Sequence, residues 1–596
     1  MSIEILPNEV LIECFEYLDG MDIYYAFDQL NSHFQELIRS LPLYVNFQNV
    51  EKRKFDQFCA IISTNSRVKE QIYSLQLSNK SLCQIHLFLS YFPMKQFSNL
   101  RSLSLVNATE NDLVKFTSDI TTFTRLSSFR LIDCQKPIEN NFFFVPTLHL
   151  QKLTVPNLFR HHQLLWNISS ITSLTMTYCC PVDFHEILNQ AHALEYLNIY
   201  FIHCNYFNQE YVGETTQVIH LKELVISQFG SCLGELLVML ERVSNLTRLT
   251  IDVHQENATF KANHWQELIT SSLPLLKNFN FRFHFDDYDS INPSNAYKDW
   301  KQFQTDYWEI ENHWFTEYSS DDYHEEIYTI PYPFDTYGFC GKQSKRICRA
   351  TNGEHSFDNI TDLIIYFDEF IYDKYPYYFP HVTSLSLDKQ SWKHVGISFT
   401  NKHIETLKTM INFNEIKHLC FTDICTMKTP LILLNMLRQM PNLFSLAIDD
   451  PDQIIPLLNN DELCEYLNKM IKRLDIAASY MATKTYSYTS GLYRFHRLNY
   501  AENVIDNLYV TNKFWETFSN IEYVKHATRD QDSIVFLMQR FPKLLRMQIW
   551  LIKCSLNSVI AYLKEKASKL NIQIATNVDY SGGELSILSI WLIRNS

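Results

Sequence analysis

A six-residue pattern of hydrophobic and polar positions returns along most of the chain. Positions 1, 4 and 6 are apolar and the rest vary. It reads IYSLQL (72–77), LRSLSL (100–105), LSSFRL (126–131), LQKLTV (150–155) and ITSLTM (171–176). It continues as LEYLNI (194–199), LKELVI (221–226), LTRLTI (246–251) and LKNFNF (276–281). After a gap come ITDLII (360–365), VTSLSL (382–387), IKHLCF (416–421), LFSLAI (443–448) and IKRLDI (471–476), then the looser IEYVKH (521–526) and LLRMQI (544–549). Apolar residues two apart lie on one side of a strand, so each copy predicts a strand with one buried face. Position 4 falls at 75, 103, 129, 153, 174, 197, 224, 249 and 279. Between the strands lie helical patterns: Leu233, Leu236, Leu237 and Leu240 recur at i, i+3, i+4 and i+7. The stretches 429–440, 532–541 and 556–570 do the same.

Strand, helix, strand at intervals of 20 to 30 residues is the unit of a solenoid. The pattern resembles the leucine-rich repeats of the long, helix-containing kind, over about residues 70–285 and 358–550. In that family an Asn or Cys follows the strand. Cys134 and Cys179 stand at that place here, and most other copies lack it. The resemblance implies an α/β leucine-rich-repeat solenoid, a horseshoe. The intervening helices argue against a β-sandwich.

Ahead of the array, a small all-helical module is predicted. Pro7 suits the first turn of a helix, where its missing N–H costs nothing. Val10, Leu11, Cys14, Phe15 and Leu18 form one apolar stripe. Asp19-Gly20 ends that helix and Asp22 can cap the next. Ile23, Phe27 and Leu30 form a second stripe, and Phe34, Leu37 and Ile38 a third. The order Leu6-Pro7-Asn8-Glu9, Tyr17-Leu18, Asp22-Ile23 and Asn31-Ser32-His33-Phe34 resembles an F-box, without the basic residue that usually flanks the last aromatic. The resemblance implies docking on a Skp-type adaptor and, through it, on the cullin of a ubiquitin ligase. The implied contacts are Leu6, Pro7, Val10, Leu11, Cys14, Phe15, Leu18, Ile23, Phe27 and Phe34. The repeats would then hold a protein substrate for ubiquitin-dependent degradation, and the chain itself would catalyse nothing. The alternative is an interaction scaffold whose N-terminal helices only cap the open end of the solenoid.

The expected organisation is helices at 1–45, repeats at 46–285, an insertion at 286–358, then repeats and a C-terminal cap at 359–596. Residues 286–335 hold thirteen acids against two lysines, Lys298 and Lys301, with thirteen aromatics. Acidic tracts that stay unfolded are poor in aromatics, so this one is expected to fold against the solenoid. Tyr297, Trp300, Phe303, Tyr307 and Trp308 read as one helix, and TIPYPF (329–334) as extended chain. The aromatics either fill a local core or present a binding element. On the second reading Trp314, Asp321, Asp322, Glu325 and Glu326 would hold a basic partner segment. Lys342, Lys345, Arg346 and Arg349 form a short basic patch, and Asn352-Gly353 reads as a hairpin turn. On the open face of the strands, Arg130, Tyr196, Asn198, Glu223 and Arg248 are further candidate substrate contacts, beside Lys152, Asn280, Lys417 and Arg473.

Composition narrows the chemistry. The chain has 596 residues, 46% hydrophobic and 20% charged, so a large core is available. Lys and Arg number 52 against 66 Asp and Glu, a net charge of −14, which argues against nucleic-acid binding. Only 11 glycines are present, and no phosphate-binding glycine loop or G-x-S-x-G elbow can be found. The 14 cysteines form no C-x-x-C pair, which fits reduced thiols in the cytoplasm or nucleus. No run of 18 apolar residues predicts a membrane span, and the first residues lack the apolar core of a signal peptide. His161-His162, His185-Glu186 and Asp286-Asp287-x-Asp289 each lack the partners a metal site needs. No cofactor, metal, membrane contact or self-association is expected.

Overall fold

A computed structural model of the chain describes its helices, strands and most connecting turns. Outside the described residues lie 1–5, 133–148, 203–219, 287–295, 341–356, 367–376, 389–398, 422–428, 477–511, 595–596 and a number of shorter connections. Cys134, His161, His162, Asp287, Asp289, the basic patch at 342–349 and the Asn352-Gly353 turn fall there. The described residues divide into two compact units: 1–253 with 266–278, and 254–265 with 279–596.

In the first unit every cassette before LKNFNF becomes a parallel strand, and position 4 sets the register. Leu75 pairs with Leu103, Leu103 with Phe129, Phe129 with Leu153, and Leu153 with Leu174. The row continues through Leu197 and Leu224 to Leu249. All these side chains are buried. The sheet starts one strand earlier than the regular pattern, at β1 (Leu43–Asn46), where Val45 pairs with Leu75. Its cassette is PLYVNF (42–47); Pro42 at position 1 hides it.

After each strand the chain must turn away while its backbone stays bonded. The amide of Asn79 donates to the carbonyl of Val106, and that of Asn107 to Ile132, both at 2.9 Å. The buried Asn79 side chain donates to the carbonyl of Asn107 (3.1 Å) and to Asp112 (2.9 Å), and accepts from the amide of Ile85 (3.1 Å). Asn79 thus does the work of the family's asparagine, one position earlier than the pattern expects. Cys179, at the expected place, is buried and donates to the carbonyl of Cys180.

In the second unit LKNFNF becomes the strand Asn278–Asp286, which pairs antiparallel with His324–Ile330; that strand pairs antiparallel with Phe315–Ser320. The aromatics of the insertion fill the core of this hairpin. Rings of Phe281 and Phe303 lie 5.1 Å apart, Phe303 and Trp308 4.8 Å, and Trp308 and Trp314 5.8 Å. The expected single helix is divided. Ala296–Gln302 is α-helical, Phe303 turns inward, and Tyr307–Glu311 forms a separate π-helical turn. The break lets Phe303 and Trp308 both face the sheet.

Parallel pairing then begins afresh at Thr336–Cys340, from the cassette FDTYGF (334–339), whose inward residues are aromatic. Tyr337 pairs with Leu363, and the row runs through Leu385, Leu419, Leu446, Leu474 and Val524 to Met547. Strands Leu585–Arg594 and Ile572–Tyr580 close it as an antiparallel hairpin. The four expected helices are found at Leu233–Glu241, Pro430–Arg438, Gln531–Arg540 and Leu556–Lys569. The fold is the expected α/β repeat array.

The candidate adaptor-docking helix and the repeat face

Three helices precede β1: α1 (Asn8–Glu16), α2 (Gly20–Phe27) and α3 (Ser32–Ser40). The carbonyl of Pro7 accepts from the amides of Val10 and Leu11, both at 3.1 Å, so Pro7 opens α1. Asp19, not Asp22, caps α2. Its carboxylate accepts from the amide of Met21 (2.8 Å) and, with its other oxygen, from that of Asn46 (2.8 Å) in β1. Asp22 instead lies in the first turn of α2, where an acid favours the positive end of the helix. Burial raises the Asp19 pKa, and the two amide bonds oppose that rise. Asn31 caps α3 by accepting from the amide of Phe34 at 3.0 Å.

The apolar stripe of α1 is two stripes. Leu11 and Phe15 point inward, where Phe15 packs on Phe27 (4.9 Å) and Phe27 on Phe34 (5.4 Å). Leu6, Pro7, Val10, Cys14 and Leu18 are exposed, and Tyr17 beside them is 84% exposed. The ten residues expected to touch an adaptor therefore separate. Leu11, Phe15, Ile23 and Phe34 are core and cannot reach a partner, because the closing of three short helices consumes them. Phe27 is half-buried between them. The other five form an open apolar face, to which Tyr17 belongs; sequence reasoning listed Tyr17 in the motif without assigning it a contact.

The module is fixed to the first repeat. Buried Gln71, at the end of the helix Ser66–Gln71, donates to the carbonyls of Ile38 (2.6 Å) and Leu41 (3.0 Å) at the end of α3. It accepts from the hydroxyl of Tyr24 in α2 (3.1 Å). Burial pushes the Tyr24 hydroxyl up to about 12, so it stays a donor. Gly20 lies against β1: a Cβ there would stand 3.2 Å from Val45 and 3.3 Å from Leu43 and the carbonyl of Tyr44. Tyr25 donates to the carbonyl of Lys54 at 2.8 Å.

On the open face of the first unit the candidate contacts are partly grouped. Tyr196, Glu223 and Arg248 are neighbours in one row across three strands, and Asn198 lies two residues along the strand from Tyr196. Arg248 pairs with Glu223 at 3.4 Å, an exposed contact worth little stability. Arg130 is exposed three strands away from Asn198.

Among the described residues of the insertion, the aromatics follow the first of the two readings, a local core. Trp314 is buried on Phe279 and Trp308, so it is a core residue and not a substrate contact. Glu325 accepts from the hydroxyl of Tyr318 (2.9 Å), and Glu326 lies 2.9 Å from His284. Asp321 and Asp322 fall outside the described residues.

His185 is buried and bonded to Arg242, whose other nitrogen donates to Asn189 at 2.7 Å. Burial and that guanidinium lower its pKa to about 4, which suits a neutral structural histidine. Burial raises the thiol of Cys59 to about 12, that of Cys180 to about 12, and that of Cys179 well above its ordinary value, so none is a ready nucleophile. Among the described residues no cluster of three His, Cys, Asp or Glu could hold a metal ion, and no helix is long and apolar enough to cross a membrane.

Comparison with known proteins agrees with the N-terminal geometry. Residues 3–46 match the F-box domain. No curated protein matches the chain. Among solved structures, a leucine-rich-repeat protein of Leptospira interrogans is similar at 11% identity, covering 70% of this chain and 92% of that one, with a TM-score of 0.19. The match to the F-box domain thus ends where the array of parallel strands and helices begins.

Proposed function

We propose that this chain is the non-catalytic substrate receptor of a cullin-RING ubiquitin ligase. The F-box holds a Skp-type adaptor, and the repeats hold a protein substrate. Its contribution is to keep a substrate lysine at high effective concentration beside the charged conjugating enzyme. The observation that carries this reading is the outer face of α1. Capping the solenoid uses α2, α3 and Gln71; it leaves the side chains of Leu6, Val10, Cys14, Tyr17 and Leu18 exposed and outside the core. A cap alone would be expected to show a polar outer face.

The test separates the two faces of α1. Val10→Asp with Leu18→Asp changes only exposed positions. It is expected to abolish co-purification with a Skp-type adaptor while the unfolding midpoint stays put. Leu11→Ala is expected to cost about 2–5 kcal/mol of stability instead, since it empties a core position. An adaptor that binds the Val10/Leu18 variant as well as the parent would refute the docking face. Failure of the parent to bind any adaptor would leave the scaffold reading.

A further inference from the structure

We propose that the chain pairs with a second copy of itself through the strand Ile572–Tyr580, in a twofold antiparallel dimer. The dimer is independent of adaptor and substrate. It sets aside the expectation that the chain does not self-associate.

The two ends of the strand array are closed differently. At the first end the outer side of β1 is occupied: the amide of Asn46 donates to Asp19, and Gly20 lies against the carbonyl of Tyr44. At the other end Ile572–Tyr580 is the terminal strand of its sheet. It pairs with Leu585–Arg594 on one side, and among the described residues nothing pairs with its other side. Alternate amides and carbonyls therefore face outward along nine residues, a length of about 30 Å. Proteins blunt such an edge with Lys, Pro, a bulge or a covering segment. This strand holds no Lys, Arg or Pro, and its pairing with Leu585–Arg594 runs without a register shift.

The core beside the edge is unfinished as well. Ile574, Thr576 and Val578 stand opposite Leu592, Ile590 and Leu588, which are buried, so the core runs up to the last strand. Ile574 itself is only partly buried. The helix Leu556–Lys569 ends the helical layer in the same way. Its Tyr562 bonds Asp532 on the preceding helix, and Ile560, about 200° around the helix from Tyr562, is only partly buried. A terminal repeat that met only water would be expected to show a polar outer side.

The order of residues along the strand selects the occupant. In a twofold contact each residue meets its mirror position in the second copy. About Thr576 the strand is its own complement. Ile572 meets Tyr580, Ile574 meets Val578, Gln573 meets Asp579, Ala575 meets Asn577, and Thr576 meets Thr576. Apolar residues thus meet on the core side of the sheet, and small or polar ones on the other. The strand's single charge, Asp579, meets a neutral amide, so no like charges oppose each other. Aromatic with β-branched, β-branched with β-branched, and Thr with Thr are pairs that stabilise antiparallel neighbours. A foreign strand has no such symmetry to match; a second copy carries it.

Sedimentation equilibrium of the full chain, over a concentration series, reads the proposal. The mass is expected to rise from 70.6 kDa towards twice that value. Gln573 is exposed, so changing it alters charge at the contact without touching the core. Gln573→Asp sets an acid opposite Asp579 at two places in the dimer and should weaken it about two- to thirtyfold; Gln573→Lys sets opposite charges there and should tighten it. Amides of 572–580 should exchange more slowly as concentration rises, and those of strand Glu223–Phe229 should not change. A mass that stays at one chain up to hundreds of micromolar overturns the proposal. So does a dimer that ignores both Gln573 variants, or one that both weaken alike. A mass that grows past two copies overturns the closed twofold contact. A dimer lost in Val10→Asp with Leu18→Asp and kept in Gln573→Asp places the contact on α1 and overturns the strand. Co-purification with an adaptor should be the same in both Gln573 variants, so the receptor reading and the dimer fail separately.

Discussion

Replacing Gln71 by Leu should loosen the junction between the F-box and the array, and the cost can be worked from three hydrogen bonds. Gln71 donates to the carbonyls of Ile38 and Leu41 and accepts from the Tyr24 hydroxyl. The carbonyl of Ile38 keeps a second donor, the amide of Leu41 at 3.1 Å. Leucine would therefore strand two groups, the Leu41 carbonyl and the Tyr24 hydroxyl. Each buried orphan costs about 1–3 kcal/mol, and the added apolar burial offsets part of that, for a net loss of about 2–4 kcal/mol. Hydrogen exchange reads this locally: amides in α2 and α3 should exchange about 30- to 800-fold faster, at about 1.4 kcal/mol per tenfold, while those of strand Glu223–Phe229 should not change. Tyr24→Phe removes one of the two stranded groups beforehand. The double variant should therefore lose less than the sum of the singles. Unchanged exchange in Gln71→Leu, or strictly additive losses, would refute the clasp.

Two more outcomes follow from exposure and burial. Cys14 is exposed on the outer face of α1, whereas Cys59, Cys179 and Cys464 are buried. Maleimide should label Cys14 in the native chain, and a bound adaptor should protect it; equal labelling with and without adaptor would place the contact elsewhere. His526 occupies an inward position where the other cassettes carry aliphatic residues or Phe, and its Nδ1 makes no hydrogen bond among the described residues. Burial lowers its pKa to about 4. The unfolded chain takes up that proton near pH 6.5 and the folded chain only near 4. Stability is thus fully present above about pH 6.5 and falls towards pH 4 by about 1.4 kcal/mol per pH unit. His526→Ile should flatten denaturation midpoints over that range by one proton's worth, and an unaltered slope would contradict the burial.

The array was legible because its two determinants are both local. Positions 1, 4 and 6 must be apolar to fill the core, and the same residues set the register, so Leu75 finding Leu103 needs no long-range information. The strands that escaped notice are those where chemistry and pattern part. PLYVNF begins with Pro42, and FDTYGF fills the core with Tyr337 and Phe339 in place of leucines. Gln71 escaped because nothing in a helix end shows that its amide will meet two carbonyls more than 29 residues away in sequence. The grouping of Arg101, Arg125 and His149 at one end of the strands escaped for a related reason. Arg101, Arg125 and His149 are 24 residues apart in each step, and only the sheet register makes them neighbours.

The same reasoning explains how the apolar residues of α1 divide. A helix with one buried face shows one apolar stripe, and the width of that stripe measures how much of the helix the fold uses. Val10, Leu11, Cys14, Phe15 and Leu18 together cover more of the circumference than three short helices can bury. Leu11 and Phe15 satisfy the fold; Val10, Cys14 and Leu18 are surplus to it. Surplus apolar surface on a helix is tolerated where a partner covers it. Its position is set by Asp19 and Gly20, which tie α2 to β1, and β1 is already in register with the strands that follow it. The outer face of α1 and the strands of the first sheet therefore belong to one unit. The proposed receptor role, delivery by orientation, asks for that continuity between helices and strands.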